Sequence, residues 1–315
     1  MVDTATKTSF VAQVPPARQG LPKGSYLPKL DRMDKMNCFL NIYKTSGMTS
    51  HDVVKKIRGL LPGVKIGHGG TLDPDATGVL PILLGKATRL SSYILGFNKV
   101  YRAELQLGIA TDTEDSSGNV LKKRDVPFLT VADIEKAFRL FEGEIQQVPP
   151  MYSAVKRKGK KLYQYARQGI NVERPPRKVN IYSLRLIKFS PPAKILFEVE
   201  CSKGTYIRTL CSQIGDFLGC GGHLSFLLRK SVGVFLAEEA HTIEKLQEFH
   251  RNNKIAELFL PLDYIFQEND KLFFEEVEIS ALCQGRFLDY AGLLKKYGRA
   301  LPKPVDETVL PVYTK

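Results

Sequence analysis

An α+β fold is what this sequence predicts, and three observations predict it. Segments 37–43, 99–109, 179–189 and 195–201 alternate apolar and polar residues with the period of a β-strand. Helical patterns at 49–61, 86–97, 130–141 and 205–218 lie between and after them, two opening on a Thr soon followed by an Asp. The third observation is the stretch 65–81, where four glycines, two prolines and two aspartates fall within seventeen residues. It runs into a short apolar strand, 79–84, and a constrained loop beside a core strand is how a site is mounted on a rigid scaffold.

Length and composition narrow the function. A chain of 315 residues holds one large domain and a small one. Its hydrophobic content of 43% is ordinary, and no apolar run approaches the roughly 18 residues that span a bilayer. The formal charge of +13 is not ordinary and favours a polyanionic partner, although a basic surface is sometimes only well solvated. Cysteines 38, 201, 211, 220 and 283 form no CxxC pair and no His cluster. That argues against a disulfide framework and a zinc site, and for a reducing, cytoplasmic compartment. Residues 1–36 carry Pro15, Pro16, Pro22 and Pro28 among basic residues, which reads as a disordered basic lead and not as a secretory signal. Met33 and Met36 both precede the first strand and are alternative starts.

Each element has its own warrant. After strand 37–43 comes a turn at 44–48, then a helix capped by Thr49 or Ser50, with Asp52 in its first turn and Val53, Val54, Ile57, Leu60 and Leu61 inward. In the central stretch, Gly67, Gly69 and Gly70 suit positive φ or close approach. Pro74 biases Asp73 away from helix and onto a loop, where a plain Asp-Pro turn is the simplest reading. Leu90, Tyr93 and Ile94 form the inner face of 86–97. In 99–109, Tyr101, Ala103, Leu105, Leu107 and Ile109 share one face, opposite Arg102, Glu104 and Gln106. A tyrosine opening a strand is ordinarily a core aromatic with its hydroxyl at the rim. Thr111, Asp112, Thr113, Asp115 and Gly118 make a polar turn. Thr130 then caps a helix with Ile134, Ala137, Phe138 and Phe141 inward, ended by Gly143.

From residue 148 the composition changes. Lys156, Arg157, Lys158, Lys160 and Lys161 precede a short helix with Tyr163, Tyr165 and Arg167, closed by Gly169; Arg174, Arg177 and Lys178 follow. Basic residues interleaved with aromatics suit an RNA backbone better than a merely solvated face. After strands 179–189 and 195–201, Thr205 can cap a helix whose inner face is Ile207, Leu210, Cys211, Ile214 and Leu218. Arg208 falls in its first turn, where the dipole disfavours a cation, so it needs a carboxylate partner or an exposed perch. Residues 261–315 read as the start of a small β-rich appendage.

Five of these segments, in order, resemble the motifs of the TruB family of tRNA pseudouridine synthases. They are Lys44-Thr45-Ser46-Gly47-Met48-Thr49-Ser50, the glycine-rich stretch around Asp73, Lys99-Val100-Tyr101-Arg102, the run from Ser202 through Leu210, and His223 to Gly233. Thr45 stands where the family has Pro, and Leu227-Leu228-Arg229 stands where it has Leu-Arg-Arg. The resemblance spans 37–233 and implies a pseudouridine synthase fold, with a mixed, mostly antiparallel central sheet flanked by helices. It implies a catalytic domain at 37–260 with a thumb insertion at about 149–178. Beyond it, 261–315 would be a PUA-like region, either truncated or reduced.

The resemblance further implies that uridine 55 in the T-loop of tRNA becomes pseudouridine, without cofactor or metal. The T-arm stem-loop is then the partner of a monomer that needs neither a membrane nor an obligate protein partner. Asp73, Tyr101 and Arg208 take the catalytic roles, and His68, Tyr206 and Leu227 bind the substrate. Lys156, Arg157, Lys158, Lys160, Lys161 and Arg229 contact the RNA backbone, while Lys44 and Gly47 pack structurally beside the active-site loop. A stacked uridine has to be flipped out before its base can be detached and rejoined through C5. Asp73 must be ionised to act as nucleophile or base, and Arg208 at its side would depress its pKa. Two other readings compete: an RNA chaperone without chemistry, and a guide-RNA-dependent synthase.

Overall fold

The computed structural model describes residues 36–157, 159–266, 272–284, 296 and 312–314. In chain order the first half comprises β1 (Cys38–Lys44), α1 (Ser50–Leu60), β2 (Ile66–His68), β3 (Thr77–Leu84), α2 (Ser91–Gly96), β4 (Lys99–Leu107), β5 (Ile109–Thr111), β6 (Val120–Lys123) and α3 (Val131–Phe141). There follow β7 (Gly143–Gln147), β8 (Lys156–Arg157), β9 (Lys160–Lys161), α4 (Leu162–Ala166), β10 (Arg177–Ser190) and β11 (Lys194–Cys201). The rest is α5 (Ile207–Phe217), β12 (Gly222–Val232), β13 (Phe235–Leu236), α6 (Ile243–Arg251), β14 (Leu272–Phe274), α7 (Glu276–Cys283) and β15 (Val312–Thr314).

One mixed sheet runs β1-β3-β12-β4-β11-β10-β7, with β2 added to β3 and β13 to β12. Its pairings are antiparallel except β12 against β3, which is parallel and brief, with Leu228 opposite Thr77 and Arg229 opposite Gly78. The structure is therefore α+β with a mostly antiparallel sheet flanked by helices. Alternation explains its layers. Tyr101, Ala103, Leu105 and Leu107 of β4 face α3 and α5, in a cluster with Phe138, Phe197, Leu210 and Ile214. β1 and β3 are buried on both faces, which is why 79–84 is a continuous apolar run. Leu80, Ile82 and Leu84 face α1 and α6, while Val79 and Leu83 face the cluster around Ile94 and Phe235. Burial of each such side chain contributes about 1.5–3 kcal/mol.

Several boundaries differ from the sequence reading, each for a local reason. Thr49 caps α1 in a full capping box with Asp52, and Thr130 caps α3 in the same way with Asp133. Thr205 does not cap α5: its hydroxyl donates to the Ser202 carbonyl 2.9 Å away, and the cap position is Tyr206. The strand expected at 99–109 stops at Leu107, because Gly108 turns the chain at φ 81° and β5 then pairs with β6. Segment 86–97 divides into a 3-10 turn, Gly85–Leu90, and α2. Gly67 has neither positive φ nor a forced approach and sits in β2, whereas Gly70 has φ 132° and a Cβ on Gly69 would press into Ile94. The basic lead lies outside the described residues except for Met36, which is buried, as does most of 261–315. What is described of the latter includes α7 and a parallel pairing of β14 with β15.

Candidate active site

Asp73 lies on the loop between β2 and β3, as Pro74 requires, with 41% of its side chain open to solvent. The loop is held from below. Lys44, fully buried at the end of β1, donates from Nζ to the carbonyls of Thr45 (3.0 Å), Met48 (2.8 Å) and Pro74 (2.8 Å). Gly47, at φ 83°, donates its N–H to the same Pro74 carbonyl at 3.1 Å. Ser50 and Leu72 are tied as well: the Leu72 N–H donates to the Ser50 hydroxyl at 2.9 Å. Lys44 and Gly47 thus pack directly against the loop, and burial lowers the Lys44 pKa to about 8 despite the nearby Asp75 and Asp73.

Arg208 comes from the first turn of α5 and meets Asp73 side by side, Nε to Oδ2 at 3.0 Å and Nη2 to Oδ1 at 3.3 Å. Its side chain is only 6% exposed. Two carbonyls fix the rest of the fork, Thr113 at 3.1 Å and Tyr152 at 2.9 Å. A second carboxylate, Asp115, stands 3.5 Å from Nη1. The first-turn cation that the helix dipole disfavours is therefore paired twice. Asp115 is itself locked, its Oδ1 accepting from Thr113, Ser117 Oγ and the Ser117 N–H. Reading the sequence assigned Asp115 only to a polar turn, because its partner Arg208 is remote in the chain.

The expected depression of the Asp73 pKa by Arg208 is corrected by the enclosure of the loop. Burial pushes the carboxyl up, Arg208 and Lys44 pull it down, and Asp115 and Asp75 push it up again, leaving the net direction upward. Because part of the side chain still meets water, that push acts in full only when a bound molecule closes the mouth of the site.

Tyr101 is buried on β4 in one cluster with Leu72, Ala76, Ile207 and Leu227, the residues that flank Asp73 and Arg208. Leu227, from β12, walls this cluster, and its carbonyl receives the Thr77 hydroxyl at 3.4 Å. Tyr206 is half-buried, with its backbone clamped by the Gln147 amide in both directions, at 2.9 and 3.2 Å. His68 is half-buried on β2; the Gly70 N–H donates to its Nδ1 at 3.3 Å, so in that tautomer Nε2 carries the proton. Burial, with Arg229 nearby, lowers the His68 pKa and keeps the ring neutral.

Lys156, Arg157 and Lys160 are exposed on the β8–β9 hairpin, and Lys161 is half-buried there; Lys158 lies outside the described residues. The expected placement of Arg229 on the RNA backbone is overturned. Arg229 is 1% exposed, and its guanidinium donates to the carbonyls of Val79, Thr71 and Gly70, so it is not open to solvent where a phosphate would lie. Among the described residues no three of His, Cys, Asp and Glu converge as metal ligands, and no helix is long and apolar enough to cross a membrane.

Residues 57–207 match the family model described as TruB family pseudouridylate synthase (N terminal domain). Residues 208–267, from α5 through α6, match tRNA pseudouridylate synthase B C-terminal domain. A tRNA pseudouridine synthase B of Alkaliphilus oremlandii (strain OhILAs) is 51% identical over 236 residues, 75% of this chain and 77% of that protein. One from Clostridioides difficile (strain 630) is 44% identical over 262 residues, 82% of this chain and 87% of its own. Among solved structures, a chain in the crystal structure of a Cbf5-Nop10-Gar1 complex superposes with a TM-score of 0.63 at 30% identity, over 80% of this chain and 68% of that one. On this agreement of fold, loop geometry and sequence, the chain belongs to the TruB family of pseudouridylate synthases.

Proposed function

We propose that this protein isomerises uridine to pseudouridine in tRNA, at position 55 of the T-loop, acting alone on the T-arm stem-loop. The observation that carries this reading is the Asp73–Arg208 pair, 3.0 Å apart, beside the buried cluster that holds Tyr101 and Leu227. The target uridine leaves its stack, at a cost of roughly a few kcal/mol, and docks against this pair. Tyr206 and Leu227 wall the base and exclude water, protecting a detached intermediate from hydrolysis. His68 supplies an N–H donor beside the base or the displaced loop.

Asp73, ionised and oriented by Arg208, opens the glycosidic bond, either by attack or by removing a sugar proton. The base turns and rejoins C1′ through C5. The C5–H bond then breaks, its electron pair restores the C5=C6 double bond, and the proton passes to the Tyr101 oxygen. As C5 gives up its proton, N1, freed of the sugar, takes one up, so substrate and product are isomers and the overall reaction balances with no other reactant. Lys156, Arg157, Lys158, Lys160 and Lys161 grip phosphates from the thumb at about 149–178, and 261–315 corresponds to a partial PUA-like region. The exposed basic hairpin favours stand-alone recognition over guidance by a second RNA.

The test is incubation of the purified protein with unmodified tRNA transcript, followed by pseudouridine mapping at single-nucleotide resolution. Pseudouridine at position 55 is expected. Refolded tRNA without it would point to a chaperone, and modification only with added guide RNA would point to a guided enzyme. Either result overturns the proposal.

A further inference from the structure

Arg229 combines three features that simple packing does not require. It is among the largest fully buried side chains, it carries a charge, and among the described residues no carboxylate pairs with it. Its donors go to three backbone carbonyls: Nε to Val79 at 2.8 Å, Nη1 to Thr71 at 3.2 Å and Nη2 to Gly70 at 3.1 Å. Carbonyl dipoles offset only part of the cost of burying a full charge. An apolar side chain would fill the same volume without that cost.

The niche around Arg229 is built to bring it close. β3 passes it at Gly78, where φ is 107° and any Cβ would collide with the Arg229 carbonyl. The Gly70 Cα would carry a Cβ 3.6 Å from Nη1. Across the sheet, Arg229 on β12 stands directly opposite Tyr101 on β4, and its charge acts on the buried phenol.

We propose that Arg229 is a positioning residue of this active site: it pins the Gly70–Thr71 backbone ahead of Asp73 and holds the Tyr101 oxygen against a fixed positive charge. This rests on the reading of Tyr101 as acceptor of the C5 proton. A phenol accepts that proton as its phenolate, and Arg229 is the cation in place to stabilise the phenolate. The other groups facing the phenol work against it or stay silent. Asp73, from the loop, repels a phenolate. Cys201, on β11, is a buried thiol pushed up to about 12 and stays neutral. Burial alone raises the Tyr101 pKa, and the charge of Arg229 pulls it back.

The experiment follows the Tyr101 phenol in protein labelled with carbon-13 at tyrosine Cζ, using Tyr101→Phe to assign the resonance. In Arg229→Gln the phenol should titrate about 1–3 units higher than in the wild type, the usual reach of an adjacent opposite charge. Single-turnover rate at neutral pH should fall about tenfold for each unit of that rise, with KM changed little. Arg229→Lys keeps a charge in the niche but draws it back from the phenol, so its titration should move up by less and its rate should fall by less. A resonance unmoved in both variants, or in Arg229→Lys alone should Arg229→Gln not fold, overturns the proposal and leaves Arg229 a structural clamp. If Tyr101→Phe instead keeps the full rate, the reading of Tyr101 fails while the coupling to Arg229 remains measurable.

Discussion

Replacing Arg208 by Met tests how the Asp73 carboxylate is prepared. The substitution removes a guanidinium lying 3.0 Å from Asp73 and 3.5 Å from Asp115, and leaves the carbonyls of Thr113 and Tyr152 without their donor. An adjacent cation holds a carboxyl down by about 1–3 units, so its loss should raise Asp73 by that amount. Burial has already set Asp73 above the ordinary carboxylate range, and Asp115 then repels it without a cation between them. The ionised form is the active one, so activity falls as pH drops through this pKa, and the variant's acid limb should move up toward neutrality. A second loss, independent of pH, comes from the freed carboxylate, which no longer holds one orientation. Each orphaned carbonyl adds a stability cost of at most about 1–3 kcal/mol, less where water reaches it. The assay is single-turnover pseudouridine formation on pre-bound tRNA across pH, which separates the position of the limb from the plateau. Arg208→Lys should restore the limb but not the plateau, since one ammonium cannot serve two carboxylates and two carbonyls at once. An Arg208→Met limb coincident with the wild type, or an undiminished plateau, would refute the reasoning.

Asp115→Asn removes the like charge, so its acid limb should shift below that of the wild type; a shift upward contradicts the assigned geometry. Alanine at Lys156, Arg157, Lys158, Lys160 and Lys161 should raise KM and flatten the salt dependence of tRNA binding by somewhat under one log unit for each phosphate no longer gripped. With kcat nearly kept, unchanged affinity and salt slope in that variant would show that the hairpin does not touch RNA. Lys44 has a pKa of about 8 when folded and 10.5 as the free side chain, so the unfolded chain binds more protons between those values. Its contribution therefore makes stability rise with pH across that window, by at most about 1.4 kcal/mol per pH unit. Comparing denaturant unfolding of the wild type and Lys44→Met from pH 8 to 10 checks this, and an identical slope in both would exclude it.

The sequence revealed those elements whose side chains divide cleanly between core and water. β4 and β11 alternate in register with each other, and α1 and α3 announce themselves through Thr-Asp capping boxes. β12, near the middle of the sheet, was legible only as a family motif. Its pairing with β4 slips between Leu224 and Phe226 and again between Arg229 and Ser231, and each slip reverses which residues face the core. The resemblance had implied an RNA-backbone contact for Arg229, which is 1% exposed. β6 is exposed throughout and β7 nearly so, and neither had a burial pattern to find. In the site, Asp73 could be placed on a loop from Pro74 and the glycines. The helical position of Arg208 left a carboxylate partner or an exposed perch open, and only the resemblance paired it with Asp73. Asp115 and Gln147 could not, because their partners lie across the fold, where no local pattern encodes them.

The central claim is that Asp73 performs the chemistry and does not merely hold RNA. Its most direct test is pseudouridine formation by pure Asp73→Asn protein on unmodified tRNA transcript, with tRNA affinity measured beside it. The account predicts no pseudouridine at position 55 even after prolonged incubation, with affinity within severalfold of the wild type. Measurable turnover by Asp73→Asn would contradict it.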